Sequence, residues 1–244
     1  MTRKFIALAL LLPLFSFAQL NGILNKAKSA VGNKTTNSSS IGNLDIASAL
    51  KEALDKGIDK QVTKLTAMDG FYKNPSVKIL FPEELKKVDK TLRSVGLGNL
   101  ADEGIKSLNR AAEDAVKEST PIFVDAVKGM TFSDAKNILM GSDNAATSYL
   151  QKSTAKPLYA KFNPKVQESI GKVGADKIWA TIITKYNALP LVSKVNPDIT
   201  DYVTNKALEG VYKMIAVEEK DIRTNLNART SGLLKKVFAM QDKK

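Results

Sequence analysis

The sequence predicts an all-α protein, a single multi-helix, bundle-like domain. Three observations carry that reading. Apolar residues recur every three or four positions through most of the chain after Leu44, prolines and glycines fall where helices would start and stop, and alternating apolar–polar runs of the strand type are nearly absent. The predicted organisation is a signal peptide over 1–18, a flexible tether over 19–43 and an all-helical domain over 44–240.

The first eighteen residues read as an export signal. Arg3 and Lys4 precede an apolar run from Phe5 to Leu14, too short to span a bilayer, and Ser16-Phe17-Ala18 offers small residues for cleavage between Ala18 and Gln19. No cysteine follows to accept a lipid, and no later stretch reaches the length of a membrane span, so the mature chain is expected to be soluble, periplasmic or secreted, without a transmembrane anchor. From Asn21 to Asn43 a Lys/Asn/Thr/Ser-rich stretch is punctuated by Gly22, Gly32 and Gly42, with too little apolar surface to order itself.

Helical periodicity begins with Ile46, Leu50, Leu54, Ile58, Val62 and Leu65. A second helix opens at Pro82, with Glu83 and Glu84 at the positive end of its dipole, buries Leu85, Val88, Leu92 and Val95, and stops at Gly96. The third begins near Asn99 or Ala101 and turns Leu100, Ile105, Leu108, Ala112 and Val116 inward. Thr120-Pro121 starts another through Ile122, Phe123, Ala126 and Val127, and Thr131 with Asp134 forms a capping box before a short helix that Gly141 ends. Segments over 143–155, 157–172 and 174–188 follow, separated on the strength of Pro157, with Pro164 as a break or kink. Pro190 and Pro197 bracket a loop. A long helix from Asp198 or Thr200 carries Val203, Ala207, Leu208, Val211, Ile215 and Ile222, and a terminal helix carries Leu233, Leu234 and Val237.

Composition narrows the chemistry. The chain has no cysteine, so its stability must come from packing. Removing Arg3 and Lys4 from the 37 basic residues leaves 35 against 25 acids, a net charge of +10. In an exported protein this favours anionic lipids, cell-wall polymers or envelope proteins over nucleic acid. Eight lysines against three acids between Gln151 and Thr200 are spaced as on solvated helix faces. The absence of histidine and cysteine excludes Ser-His-Asp and Cys-His nucleophiles, zinc sites on those residues, and haem or iron–sulfur ligation through them. No metal or cofactor is expected. Glu83-Glu84, Asp102-Glu103, Glu113-Asp114 and Glu218-Glu219 are neighbouring acids, but adjacent helical residues point about 100° apart and make no two-carboxylate site by themselves. Gly96-Leu97-Gly98 is a helix stop rather than a phosphate loop, and Asp143-Asn144 lacks the spacing of a calcium loop.

Arginine is scarce: the mature chain holds four, Arg93, Arg110, Arg223 and Arg229, against 31 lysines. Where lysine serves nearly every solvated position, a retained arginine points to a need for its planar five-donor fork. Arg110 has Glu113 three residues on, and Arg223 has Glu219 four residues back. Two helices could bring Asn109, Arg110 and Glu113 against Glu218, Glu219 and Arg223 as one inter-helical network.

Asp69-Gly70-Phe71 with Asn74-Pro75, Asn109-Arg110-Ala111-Ala112-Glu113, Phe123-Val124-Asp125-Ala126, Thr200-Asp201-Tyr202-Val203-Thr204, Ile215-Ala216-Val217-Glu218-Glu219, Ile222-Arg223 and Ala228-Arg229-Thr230 together resemble the bacterial family known as domain of unknown function 4197. The resemblance runs from about Leu44 to Phe238, with Leu226 in place of an expected proline and Ser231 in place of a usual threonine. It implies an exported helical protein and supplies no substrate. The resulting candidate network or ligand site comprises Asn109, Arg110, Glu113, Asp201, Tyr202, Glu218, Glu219, Arg223 and Arg229. Two functional readings follow. One is a non-catalytic binding or interaction protein. The alternative is a carboxylate-based hydrolase or lyase acting on an anionic envelope substrate, with Glu113, Asp201, Glu218 or Glu219 as acid or base and Tyr202 as a hydroxyl donor. Convergence of those acids in an open pocket would separate the two.

Overall fold

The computed structural model describes residues 42–172 and 198–242 except 95 and 97, and between 173 and 197 only Asp176, Trp179, Ala180, Thr184, Asn187, Ala188, Pro190, Lys194 and Asn196. The expected leader, its cleavage point and all but the end of the tether lie outside the described residues, as do the burial of Val88, Leu92 and Val95 and most of the segment expected over 174–188. Among the described residues every regular element is helical: α1 (Asn43–Thr66), α2 (Lys86–Ser94), α3 (Gly98–Val116), α4 (Ser119–Lys128), α5 (Phe132–Leu139), α6 (Ala145–Gly171), α7 (Ile199–Thr224) and α8 (Gly232–Phe238), with 3-10 turns at Glu83–Leu85 and Leu226–Ala228. None of these helices is long and apolar enough to cross a membrane.

The apolar stripe of α1 is buried as its spacing predicts, from Ile46 through Leu50, Leu54, Ile58 and Val62 to Leu65. Each such aliphatic side chain contributes about 1.5–3 kcal/mol on leaving water. α7 packs against α6, α1 and α3, while α1 also meets α4, α5 and α8. The caps follow local chemistry. Thr131 Oγ1 accepts from Asp134 N at 3.1 Å and Asp134 Oδ2 accepts from Thr131 N at 3.0 Å, the predicted capping box. Asp198 accepts from Thr200 N and Asp201 N at the start of α7. Gly96, after α2, has φ +81°, which a side chain would strain.

Two expectations are corrected. Pro157 does not open a new helix and Pro164 does not end one, because α6 continues through both. Its buried stripe of Ala146, Leu150, Leu158, Phe162, Val166 and Ile170 keeps helical spacing across both prolines, which stay on the exposed side. Burial along 27 residues outweighs two missing backbone donors. Leu100 is not in the core: it is 62% exposed, and Ala101, one turn before Ile105, takes the inward position instead.

Candidate functional site

The polar residues singled out by the sequence form several separate braces, most of them holding a helix end or a loop. On α3, Asn109 is fully buried. Its side-chain amide accepts from Ile79 N at 2.8 Å and donates to Ile79 O and Ile105 O, both at 2.7 Å. One amide thus satisfies both backbone groups of Ile79 in a segment that has no strand partner. One turn further, Glu113 accepts from Phe71 N at 3.0 Å and Tyr72 N at 3.3 Å, and its second oxygen takes Arg110 Nη1. The other arm of Arg110 reaches Asp69. Asp69, in the left-handed region at φ +68°, also pairs with Lys73 at 2.8 Å. The Lys73 ammonium, and then the Arg110 guanidinium, hold the Asp69 carboxyl below its ordinary value, while Glu113 first and Asp69 second hold Arg110 above its own. Gly70 completes the turn: a Cβ there would lie 2.3 Å from Lys64 O and 2.5 Å from Leu65 O, so only glycine lets the chain fold back on the end of α1.

A second brace lies on α7. Glu219 accepts from Ala146 N, Thr147 N and Thr147 Oγ1, all at 2.8 Å, at the N-terminus of α6. Arg223, one turn on, places Nη2 2.7 Å and Nε 3.0 Å from Glu219 Oε1, and donates to Ile138 O at 2.8 Å and Leu139 O at 3.3 Å, the last carbonyls of α5. The anion sits where a helix dipole is positive and the cation where another is negative, so both favourable interactions come from one ion pair. Both side chains are almost wholly out of solvent, 1% exposed for Arg223 and 6% for Glu219.

Arg229 does for α7 what Arg223 does for α5. Its Nε donates to Ile222 O at 3.1 Å and its Nη2 to Arg223 O at 2.9 Å, capping the helix C-terminus, and its outer edge grips both carboxylate oxygens of Asp242. That grip holds the Asp242 carboxyl below its ordinary value. Glu218 faces α1 instead, accepting from Lys60 Nζ and Gln61 Nε2 at 2.6 Å each. Asp201 accepts from Tyr159 Oη at 2.6 Å, Asn196 Nδ2 at 2.7 Å and Asn205 Nδ2 at 3.0 Å, and its carboxylate raises the Tyr159 hydroxyl to about 12. Tyr202 donates its hydroxyl to Leu80 O at 2.9 Å and stacks on Trp179.

The expected single network therefore divides. Among the described residues, no hydrogen bond or ion pair joins Asn109, Arg110 and Glu113 to Glu218, Glu219 and Arg223, because each guanidinium finds its carboxylate locally and spends its remaining donors on nearby loops and helix ends. Arg93 departs from the scarcity argument differently. It is exposed, pairing with Asp89 at 3.0 Å and Asp102 at 2.6 Å across the bend between α2 and α3. Sequence reasoning missed Asp69, Lys60 and Asp242 as partners. The nearest cavity to Glu218, Glu219 and Arg223 is about 30 Å³ and otherwise apolar, room for about one water.

A larger opening lies elsewhere, a groove of about 520 Å³ between the segment 76–86 and one face of α7 bearing Tyr202, Lys206, Glu209, Gly210 and Lys213. Of the sequence-selected residues only Tyr202 lines it. Bare Gly210 lets α7 lie close against Phe71 and Val77: a Cβ there would stand 2.6 Å from Phe71 Cε1 and 3.4 Å from Val77 Cβ.

A helical bundle whose buried ion pairs cap helix ends, with an open groove along its longest C-terminal helix, is the class of protein that this fold and its polar residues define. The chain belongs to the family described as Protein of unknown function (DUF4197), whose model matches residues 40–239. No curated protein and no solved structure matches it.

Proposed function

We propose that this chain is an exported, non-catalytic binding protein of the bacterial envelope. The observation that carries the reading is the occupation of its acids. Glu113, Asp201, Glu218 and Glu219 each accept from two or more donors, those donors are spread over different elements, and the cavity that Glu218 and Glu219 share is only about 30 Å³. A general acid or base needs a proton to exchange with substrate in a pocket that admits it. A carboxylate that accepts from helix-end amides supports stability instead. Export is supported by the leader read in the sequence, and the tether preceding α1 belongs to the same proposal.

The test is extraction of the protein purified from its own compartment, read by mass spectrometry, with the recovered compound then returned to fresh protein. A binding protein gives back an unaltered anionic compound. Conversion of that compound, or an extract without one, overturns the reading. The intact mass of the same preparation should begin at Gln19, and rapid native proteolysis should fall within 21–43. Retention of Met1 would refute export by this leader.

A further inference from the structure

We infer that the groove between the segment 76–86 and α7 is a binding site for an anionic amphiphile, an alkyl chain carrying a phosphate head. The inference rests on the non-catalytic reading above and names the ligand class.

The two banks are pinned to each other at two points. Tyr202 Oη donates to Leu80 O at 2.9 Å, and Lys213 Nζ donates to Ser76 O at 2.8 Å. Asn109 holds Ile79 from behind through both backbone groups. The opening is thus built on rigid supports rather than on a loose loop, and its volume of about 520 Å³ is that of a small-molecule site.

Its lining has two characters. Val77, Ile79, Leu80 and Phe81 supply an apolar wall, with Leu80 left 53% exposed. Four lysines, Lys78, Lys86, Lys206 and Lys213, stand around that wall against two acids, Glu83 and Glu209. The acids are matched by Lys86 at 2.6 Å and Lys206 at 2.7 Å, in solvent-exposed pairs that hold weakly and open readily to a competing anion. Lys78 sits over the Tyr72 ring, 4.3 Å from its centroid. A polar anion alone would leave the exposed Leu80 wall wet, and a neutral apolar ligand would gain nothing from the lysines. An amphiphile with a phosphate head uses both.

The test is isothermal titration of the full chain with dodecyl phosphate below its micelle concentration, beside inorganic phosphate and dodecyl maltoside. Dodecyl phosphate should bind, and the double variant Lys86→Gln/Lys206→Gln, which leaves two lysines against two acids at the rim, should weaken it about 10-fold, equivalent to ~1.4 kcal/mol. Leu80→Gln should weaken it comparably, while Lys152→Gln/Lys156→Gln, exposed on α6 and outside the groove lining, should not. Melting curves establish that each variant is folded. Equal competition by inorganic phosphate, equal affinity for dodecyl maltoside, or wild-type affinity in the groove variants each overturns the assignment. Failures of the two readings are distinguishable. A natural ligand retained unchanged by groove variants defeats the groove and leaves the binding function standing. Turnover of a ligand that groove variants no longer bind defeats the non-catalytic reading and leaves the groove.

Discussion

Replacing Arg223 by lysine preserves one charge and removes the fork, and the structure allows the loss to be worked out. The guanidinium makes two contacts to Glu219, at 2.7 and 3.0 Å, one to Ile138 O at 2.8 Å, and longer ones of 3.3 Å to Leu139 O and to Gln241 Oε1. A lysine ammonium presents three donors from a single point, so it can keep Glu219 and at most one of the carbonyls. At least one acceptor at the end of α5 is then buried without a partner, at about 1–3 kcal/mol, and the weakened grip on Glu219 brings the expected total to about 2–4 kcal/mol. For a domain of this size that is a fall of roughly 5–15 °C in Tm. Thermal unfolding followed by circular dichroism measures it, with Arg93→Lys as the matched control, because Arg93 is exposed and its replacement should leave Tm near wild type. If both variants melt alike, the argument that buried arginine is retained for its geometry fails.

Glu113→Gln should remove the charge that Arg110 and the Phe71 and Tyr72 amides share, destabilising by about 1.5–3 kcal/mol, and amide exchange at Phe71 and Tyr72 should accelerate more than at residues of α7. The folded-state carboxyls of Asp69 and Asp242 titrate below their ordinary 3.8, so their contribution is complete above that value and is lost as pH falls through the lowered folded one. Acid melts of Asp242→Asn should therefore lose less stability than wild type below pH 3.8, and identical acid profiles would contradict the Arg229 clamp. The Tyr159 hydroxyl, raised to about 12 from 10.0, supports folding fully below pH 10.0 and ceases to do so as pH passes about 12. Phenolate absorbance in Tyr159→Phe should then lose a tyrosine that titrates at about 12. Pro164→Ala, at an exposed position inside α6, should restore a backbone donor and raise stability by about 1–3 kcal/mol, and an unchanged or lower Tm would mean that the proline is compensated elsewhere.

What was legible in the sequence was local. The Ile46-to-Leu65 stripe, the Thr131/Asp134 box and the start of the long helix at Asp198 or Thr200 each depend on residues within a turn or two of one another, and each stands where its spacing placed it. The Arg110–Glu113 and Arg223–Glu219 pairs were visible for the same reason. Their distant partners were not. That Asp69 takes the other arm of Arg110, or that Ile138 O lies beneath Arg223, depends on how α1 and α5 pack, and no spacing encodes it. Pro157 and Pro164 misled because a local rule against proline met a long buried stripe that overrode it. Along the groove, Tyr202, Lys206, Glu209 and Lys213 share a helix face and could be read as such, but the opposite bank, an irregular stretch held by the Asn109 side chain, has no periodic signature.

The Glu219–Arg223 pair also bears on what chain continuity is needed for. The end of α5 and the start of α6 are joined by only a few residues, and α7 holds both ends in addition to that connection: Arg223 takes the carbonyls of one and Glu219 the amides of the other. A peptide bond cut between Ser142 and Asp143 breaks the covalent link but leaves both of those holds on α7 intact. The two pieces should stay seated against α7 as a noncovalent whole, so the segment 141–144 is the natural place to nick, permute or splice this protein without unmaking it.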